Sequence, residues 1–185
     1  HLAYIIYTSG STGLPKGVGI SREALGLFLH SVHQRVPMQP NDRLLAITTI
    51  GFDIAGLELF LPLCHGASIV LLDSQASRDP LAIIEAVKRH TITTIQATPS
   101  LWEMILDEHL DHRIHILTGG EALATRLGKR MHQVGPVTNL YGPTEATIWA
   151  SSQTVLENDL LDDTAAVSIG HPLPAYDIYI LDERL

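Results

Sequence analysis

Short strand-like runs alternate with amphipathic helical runs through most of this chain, and this alternation constrains the fold more than any other feature. Predicted strands cover residues 44–48, 68–72, 93–97, 114–118 and 137–140. Predicted helices cover residues 54–64, a segment beginning at 80, and residues 99–109 and 124–134. Because strands joined by helical crossovers run parallel, the pattern predicts an α/β fold, a mostly parallel sheet with helices on both faces.

Both ends of the chain add elements to this α/β core. Residues 2–7 form a predicted strand, and Ser21 caps a predicted helix that runs to about Arg35. Residues 147–155 and 176–181 alternate without an intervening helix, which predicts additional β-strands at the C-terminal end. The acidic stretch 157–164 between them is expected to be an exposed loop.

Within the core, we expect strand 68–72 to be buried. Pro80 at the first helical position follows the cap residue Asp79, and Leu81, Ile84 and Val87 form the predicted buried stripe of that helix.

Composition limits the classes of function. The 185 residues are 45% apolar, enough for one substantial core, and the net charge of -8 with only 12 scattered Lys and Arg argues against nucleic-acid binding. Cys64 is the only cysteine, which excludes an internal disulfide and favours a reducing, cytoplasmic compartment, where we expect a small buried side chain. No apolar run approaches the roughly 20 residues of a membrane span.

A glycine-rich loop, residues 8–17 (TSGSTGLPKG), follows the first predicted strand. Its glycines allow close approach of the backbone to an anion, its hydroxyls donate hydrogen bonds, and Lys16 adds charge. The pattern is not a Walker A loop, because Lys16 lies between Pro15 and Gly17. Composition alone leaves a phosphate-binding loop and a solvated linker equally open.

Small and polar residues follow several predicted strands, where ligands bind in sheets of this kind. They include Phe52 and Asp53 and the stretches 96–99, 118–121 and 139–145. The last stretch is the richest, since Glu145 is a hard oxygen ligand suited to Mg²⁺ beside a phosphate. Taken alone, that stretch is more typical of a turn with Tyr141 packed in the core.

Histidines give no further site. His109, His112 and His115 have the spacing HxxHxxH, but they span a predicted helix end and a strand start and cannot share one face, so we do not predict a metal site there. His30 and His33, on the first helix, are expected to be solvated.

Four motifs together carry a family resemblance. LAYIIY with TSGSTGLPKG, then GFDIAGLELF, NLYGPTEATIWAS and IGHPLPAYDIYILD, occur in this order from Leu2 to the end of the chain. The chain resembles the large subdomain of an adenylate-forming enzyme, and more narrowly an amino-acid adenylation domain of a nonribosomal peptide synthetase. The resemblance implies that residues 1–185 are a partial adenylation core subdomain with a flavodoxin-like, doubly wound core at about 44–150.

The resemblance implies a reaction in two halves. An amino acid's carboxylate attacks the α-phosphate of ATP, pyrophosphate leaves, and the aminoacyl-AMP passes to a phosphopantetheine thiol on a peptidyl carrier protein domain, as in secondary metabolite biosynthesis. An MbtH-like accessory protein is a possible partner, while nucleic acid and membrane are not expected. The family's ribose-binding aspartate, hinge and lysine-bearing C-terminal subdomain would follow this segment, so we expect the chain alone to be inactive or nearly so.

The nucleotide site is carried over from the family residue by residue. Lys16, Thr144 and Glu145 are the implied catalytic residues, and Glu145 is the implied metal ligand for Mg²⁺. Tyr141 would stack on adenine and Asn139 would contact its amino edge. The implied ATP-binding residues are Thr8, Ser9, Gly10, Ser11, Thr12, Gly13, Lys16, Gly120, Glu121, Ala122, Asn139, Tyr141, Gly142, Thr144 and Glu145.

The resemblance also implies an amino-acid pocket. Asp53 would bind the α-ammonium by a charge-assisted hydrogen bond, with helix capping as its alternative role. The implied pocket residues are Asp53, Ile54, Leu57, Gln96, Leu117, Gly119, Leu140, Ile148 and Trp149. Most are large and leave little space, and the combination is similar to the family's pattern for glycine, with alanine as runner-up.

Two other functions stay open from the sequence. An acyl-CoA synthetase-type ligase would have no ammonium to recognise, so Asp53 argues against it. An excised, non-catalytic ATP-binding module would keep the loop and the nucleotide residues without completing the reaction.

Overall fold

A computed structural model describes residues 1–9 and 14–182 of the chain. Its strands are β1 (Leu2–Thr8), β2 (Lys16–Ser21), β3 (Arg43–Ala46), β4 (Ser68–Leu71), β5 (Thr94–Ala97), β6 (His115–Gly119), β7 (Val137–Tyr141), β8 (Ser151–Thr154) and β9 (His171–Pro172). Its α-helices are α1 (Arg22–Arg35), α2 (Ile54–Cys64), α3 (Pro80–His90), α4 (Pro99–Asp107) and α5 (Thr125–Val134). None of these helices is long and apolar enough to cross a membrane.

Seven of the described strands form one sheet in the order β4-β3-β5-β6-β7-β8-β9. The strands from β4 to β7 are parallel, whereas β8 and β9 add antiparallel at one edge. The order of the parallel strands is that of a flavodoxin-like sheet, with its switch point between β3 and β5. The predicted α/β class and the additional C-terminal strands are therefore confirmed, and β1 and β2 form a separate antiparallel hairpin.

Alternate residues of the parallel strands build a core on each face of the sheet. Leu45 and Ile116 pack in a buried cluster with side chains of α3, α4 and α5. Their neighbours Leu44 and Leu117 point the other way, into a second cluster with side chains of α1 and α2. The helices therefore cover both faces, as the β–α alternation predicts.

Two predicted helix caps are present. The Ser21 hydroxyl accepts a hydrogen bond from the Ala24 N–H at 3.0 Å, and the Asp79 carboxylate accepts one from the Leu81 N–H at 3.0 Å. Each bond satisfies one of the N–H groups that the first turn of a helix leaves without a backbone partner.

Four strand predictions need correction. β2 was not predicted, because its two glycines interrupt any alternating pattern. β4 lies at the sheet edge and its residues are exposed or half-buried, so the expectation of a buried strand is wrong. The predicted strand 147–155 shortens to β8, and residues 176–181 form no strand, since alternation without a partner strand does not form a ladder.

Three predictions about individual side chains are also wrong. Leu81 in the first turn of α3 is 60% exposed, and the stripe facing the sheet contains Ile83, Ile84 and Val87 instead. Cys64 ends α2 and is exposed. In the acidic stretch 157–164, Leu160 is buried in a short 3₁₀ turn.

His33 is half-buried, against the expectation of a solvated side chain. Its ring stacks on that of His65 with 3.4 Å between ring centroids. Burial, followed by the charge of His65, lowers the pKa of His33, which favours the neutral form of the His33 ring.

Glu58 on α2 is the only charged residue among residues 1–9 and 14–182 whose side chain is fully buried. Its carboxylate accepts hydrogen bonds from the backbone N–H groups of Ile47 and Thr48, at 3.0 and 2.9 Å, and from the Thr48 hydroxyl. Burial raises the pKa of Glu58 to about 7, although these hydrogen bonds oppose the shift.

The raised pKa predicts a pH dependence of stability. The folded state holds the Glu58 proton more tightly than the unfolded chain, so this contribution is complete below about pH 4.5 and is lost as the pH rises through about 7. Between pH 5 and 8 the contribution to the free energy of unfolding should fall by up to about 3 kcal/mol. Urea unfolding of the wild type and of Glu58→Gln, which cannot ionise, checks this: the variant should have the flatter pH profile, and parallel profiles would contradict it.

Candidate functional site

A cavity of about 330 Å³ opens at the carboxyl ends of β6 and β7. Six of the predicted nucleotide residues line it, namely Gly120, Glu121, Ala122, Asn139, Tyr141 and Gly142. Gly120 has a φ of +83°, which turns the chain sharply after β6 and suits glycine. These backbone and side-chain positions together form a concave surface large enough for a small planar ligand.

Four residues that line this cavity were not predicted from the sequence. Leu123, Ala166, Val167 and Ile169 also line it. The Val167 N–H donates to the Leu123 carbonyl at 2.8 Å, which holds residues 166–169 against the loop after β6. These side chains are apolar and carry no chemical signature, and only Ile169 could have been indicated, by its position at the start of the IGHP motif.

The two side chains implied for adenine differ in exposure. Asn139 is buried, and its side-chain Nδ2 donates to the Ser168 carbonyl at 2.9 Å, which fixes the amide in the cavity wall. The Tyr141 ring is 49% exposed, so the interpretation of a tyrosine packed in the core is wrong. The half-exposed ring at the cavity offers a flat face for stacking.

The glycine-rich loop lies at the end of the β1–β2 hairpin. Thr8 pairs with Lys16 in the antiparallel register, and Ser9 and Lys16 are exposed. A 3₁₀ turn, Thr144–Ala146, contacts β2, which places Thr144 and Glu145 beside the strand that begins at Lys16. The remaining predicted loop residues Gly10, Ser11, Thr12 and Gly13 lie outside the described residues, and Thr8, Ser9, Lys16, Thr144 and Glu145 do not line the 330 Å³ cavity.

Glu145 is the candidate metal ligand, and its side chain is exposed. Within residues 1–9 and 14–182, no three His, Cys, Asp or Glu side chains are grouped to hold a metal ion by themselves. A single carboxylate fits Mg²⁺, which keeps several waters and binds through one or two carboxylates together with phosphate oxygens. The donor set therefore fits a metal brought in with a nucleotide.

Asp53 occupies the position before α2, yet it does not act as a helix cap. Its side chain makes no capping hydrogen bond, and its Oδ2 is buried without a partner among the described residues. Burial raises the pKa of the Asp53 carboxyl, while the Thr144 hydroxyl and backbone N–H groups oppose this and the nearby Glu145 charge adds to it. Asp53 is thus a buried acceptor close to the 3₁₀ turn.

The predicted amino-acid pocket is brought together on one face of the sheet. Leu57, Leu117, Leu140, Ile148 and Trp149 belong to a single buried cluster, with Ile54 packed against it. Gly119 faces the Trp149 indole, since a methyl group on Gly119 would lie 2.7 Å from the indole Cη2 and 2.4 Å from the Leu140 carbonyl oxygen. Gly56, which was not predicted, approaches Ile148 in the same way at 3.1 Å.

Gln96 lies apart from the main pocket cluster. It pairs with Leu117 across β5 and β6 and lines a second cleft, of about 580 Å³, at the β3–β5 switch point. Its Oε1 is buried without a partner among the described residues, as is Trp149 Nε1. Buried polar atoms without partners are rare in folded proteins and indicate a role beyond packing.

The chain folds back on itself between Tyr141 and Ala150, where the antiparallel hairpin of β7 and β8 closes. The Ala150 N–H donates to the Tyr141 carbonyl at 2.7 Å, and a Cβ on Gly142 would lie 2.6 Å from the Ala150 nitrogen. Just before Ala150, Thr147 and Ile148 have φ of 64° and 69°, the left-handed region that β-branched residues rarely adopt. Trp149, in the same β7–β8 connection, lies in the walls of both the cavity and the buried cluster.

Comparisons with known proteins show the family and the fold. The chain matches the AMP-binding enzyme family over residues 1–185. A dimodular nonribosomal peptide synthase of Bacillus subtilis (strain 168) is 43% identical over 188 residues, covering 100% of this chain and 8% of that protein. The chain therefore spans less than a tenth of that relative.

Two solved structures show the same fold. A four-domain nonribosomal peptide synthetase bound to AMP and glycine matches with a TM-score of 0.88 and 35% identity, covering 99% of this chain and 13% of the other. The Vibrio cholerae adenylation domain AlmE, in complex with glycyl-adenosine-5'-phosphate, matches with a TM-score of 0.82 and 28% identity, covering 92% of this chain and 33% of the other.

The close approach of Gly142 to the Ala150 backbone predicts opposite effects on stability for two glycine substitutions. Gly142→Ala inserts a methyl group against the Ala150 backbone and should lower the free energy of unfolding by about 1–3 kcal/mol. Gly26→Ala is the matched control, because Gly26 is exposed on α1 with no atom within 4 Å of the added methyl, and it should raise stability by about 0.5–1 kcal/mol. Denaturant unfolding measures both free energies of unfolding. An unchanged free energy in Gly142→Ala would show that the β7–β8 connection can shift to accommodate the methyl group.

Proposed function

The chain belongs to the AMP-binding enzyme family, and from that premise we propose that it activates an amino acid, most consistently glycine, with ATP. The amino acid's carboxylate oxygen bonds to the α-phosphorus of ATP, the bond to the bridging oxygen breaks, and pyrophosphate leaves with aminoacyl-AMP as the other product. The observation that carries this function is the buried Asp53 Oδ2 without a partner, beside a nearly filled apolar pocket.

Asp53 supports an amino acid over a simple carboxylic acid. A buried carboxylate oxygen without a hydrogen-bond donor is unfavourable, and an α-ammonium supplies both a donor and the opposite charge. A fatty or aryl acid has no such group, so an acyl-CoA synthetase-type ligase would leave Asp53 Oδ2 without a partner. Asp53 therefore favours amino-acid activation over that alternative.

The contact between Gly119 and Trp149 supports a small substrate. The indole and the Leu140 carbonyl already occupy the space that a side chain on Gly119 would need. The buried cluster around them leaves little volume for a substrate side chain. Glycine fits best, alanine is the runner-up, and the two solved relatives contain glycine with AMP or glycyl-AMP.

Some of the proposed nucleotide residues position the adenine, and others stabilise the charge of the phosphates. Tyr141 stacks on adenine while Asn139 contacts its edge, and Thr144 contacts the α-phosphate. Lys16 and the glycine-rich loop hold the β- and γ-phosphates. Glu145 would hold Mg²⁺, which neutralises phosphate charge when bound.

We propose that the aminoacyl group is then transferred to a phosphopantetheine thiol on a peptidyl carrier protein domain in the cytoplasm. The similarity to a nonribosomal peptide synthase supports this class of reaction. An MbtH-like accessory protein is proposed as a further partner. A non-catalytic ATP-binding module is the other alternative, and amino-acid-dependent ATP–pyrophosphate exchange by the full-length protein distinguishes the two.

Removing the Asp53 carboxylate should separate amino-acid recognition from nucleotide binding. In the full-length protein, Asp53→Ala should lower glycine-dependent ATP–pyrophosphate exchange by about 10- to 100-fold, since a charge-assisted hydrogen bond is lost. Binding of a fluorescent ATP analogue should be unchanged. Asp53→Asn controls for shape without the charge and should also be impaired; exchange at the wild-type rate in Asp53→Ala would exclude the assigned role.

A substrate panel tests the size of the pocket. Exchange should be strongest with glycine, then alanine, and Trp149→Phe should raise the alanine-to-glycine ratio by roughly 10-fold or more because the smaller ring makes room for a methyl group. Trp102→Phe is the matched control, because Trp102 is fully buried against the other face of the sheet and should leave the ratio unchanged. A wild-type preference for a large amino acid would rule out the glycine assignment.

A further inference from the structure

The buried carboxylate of Glu58 lies where the sheet meets the segment that carries Asp53. β3 ends at Ala46, and residues 47–53 connect it to α2, which begins just after Asp53. The backbone N–H groups of Ile47 and Thr48 lie beyond the end of β3 and donate to Glu58 Oε2. Ile47 and Thr48, the first two residues of the connection, are therefore hydrogen-bonded to α2. Asp53, the last residue of the connection, immediately precedes the same helix.

This bonding closes the connection on itself. Residue 53 is joined to α2 by the chain itself, and residues 47 and 48 are joined to α2 by hydrogen bonds to Glu58. Glu58 lies about 1.4 turns beyond Asp53 along the helix. The Thr48 hydroxyl donates to the other carboxylate oxygen, so both oxygens of Glu58 hold the same short stretch of chain. The connection and the start of α2 therefore behave as one unit.

The unit faces the amino-acid pocket. Leu57, next to Glu58, is fully buried in the pocket cluster, and Gly56 contacts Ile148. A small shift of α2 would move both Asp53 and Leu57 relative to Ile148 and Trp149. The productive geometry of a binding group tolerates only about half an ångström of displacement, so its supporting contacts decide its effect.

We propose, given the amino-acid activation proposed above, that Glu58 is a positioning residue of the amino-acid site: it anchors residues 47–53 to α2 so that Asp53 meets the substrate's ammonium. Glu58 itself does not touch the substrate. Its removal leaves the buried N–H of Ile47 and the half-buried N–H and hydroxyl of Thr48 without this acceptor, which releases the connection that ends at Asp53. The nucleotide residues lie after β6 and β7 and on the hairpin, outside this unit.

A set of three variants in the full-length protein tests the role. Glu58→Ala should raise the KM for glycine in ATP–pyrophosphate exchange by about 10-fold or more, while the KM for ATP stays within about 2-fold, because only the amino-acid side is displaced. Glu58→Gln should stay near the wild type, since its amide oxygen accepts the two backbone N–H groups and its NH₂ donates to the Thr48 hydroxyl. Ile105→Ala is the matched control, a fully buried residue of α4 in the core cluster on the other face of the sheet.

The control separates positioning from plain loss of stability. Ile105→Ala should destabilise the protein by about 2–5 kcal/mol yet leave the KM for glycine near the wild-type value. Equal increases of the glycine KM in Glu58→Ala and Ile105→Ala, or equal increases of both KM values in Glu58→Ala, would overturn the positioning role.

A second measurement does not depend on activity. Amide hydrogen exchange of residues 47–53 should become at least about 10-fold faster in Glu58→Ala and stay near the wild-type rate in Ile105→Ala, because only the first variant removes the acceptor. If the wild type shows no glycine-dependent exchange of pyrophosphate, the proposed function fails, and the amide rates still decide whether Glu58 holds this segment. Unchanged protection in Glu58→Ala would overturn the proposal.

Discussion

The hydrogen bond from the Ala150 N–H to the Tyr141 carbonyl holds the rest of the site in place. It closes the connection between β7 and β8, which contains the Thr144–Ala146 turn and Trp149. Thr147 and Ile148 adopt left-handed backbone angles in this connection, each at a cost of about 1–3 kcal/mol, and such strain persists only where surrounding contacts enforce it. Gly142 allows the two strands of chain to approach closely enough for the bond to form.

Trp149 in this connection and Leu140 on β7 form a common wall between the cavity and the buried cluster. Both line the cavity that contains Asn139 and Tyr141, and both also belong to the buried cluster around Gly119. Asp53 lies outside this cavity, at the start of α2, where Thr144 and Glu145 influence its pKa.

Periodicity predicted the central part of the fold well because buried strands and amphipathic helices have distinct repeats. The helix caps at Ser21 and Asp79 were also predicted correctly, since Ser and Asp are strongly preferred at the position before the first helical turn. Tertiary context decided the failures: β2 forms because β1 pairs with it, whereas residues 176–181 alternate without a partner. At the site, chemically distinctive residues were predicted through resemblance, but apolar Val167 and Ile169, and the buried anchor Glu58, have no signature before the chain is folded.

The shared wall at Trp149 has an evolutionary consequence. A pocket that selects its substrate by excluding volume can acquire a larger substrate only by removing bulk, and here the largest removable group is the indole. Since the same indole lines the cavity proposed for the nucleotide, lineages that enlarge the proposed pocket at this position would also have to restore the proposed binding of ATP. Substrate range and nucleotide affinity are therefore expected to change together, and small-substrate pockets of this design should be slow to diversify.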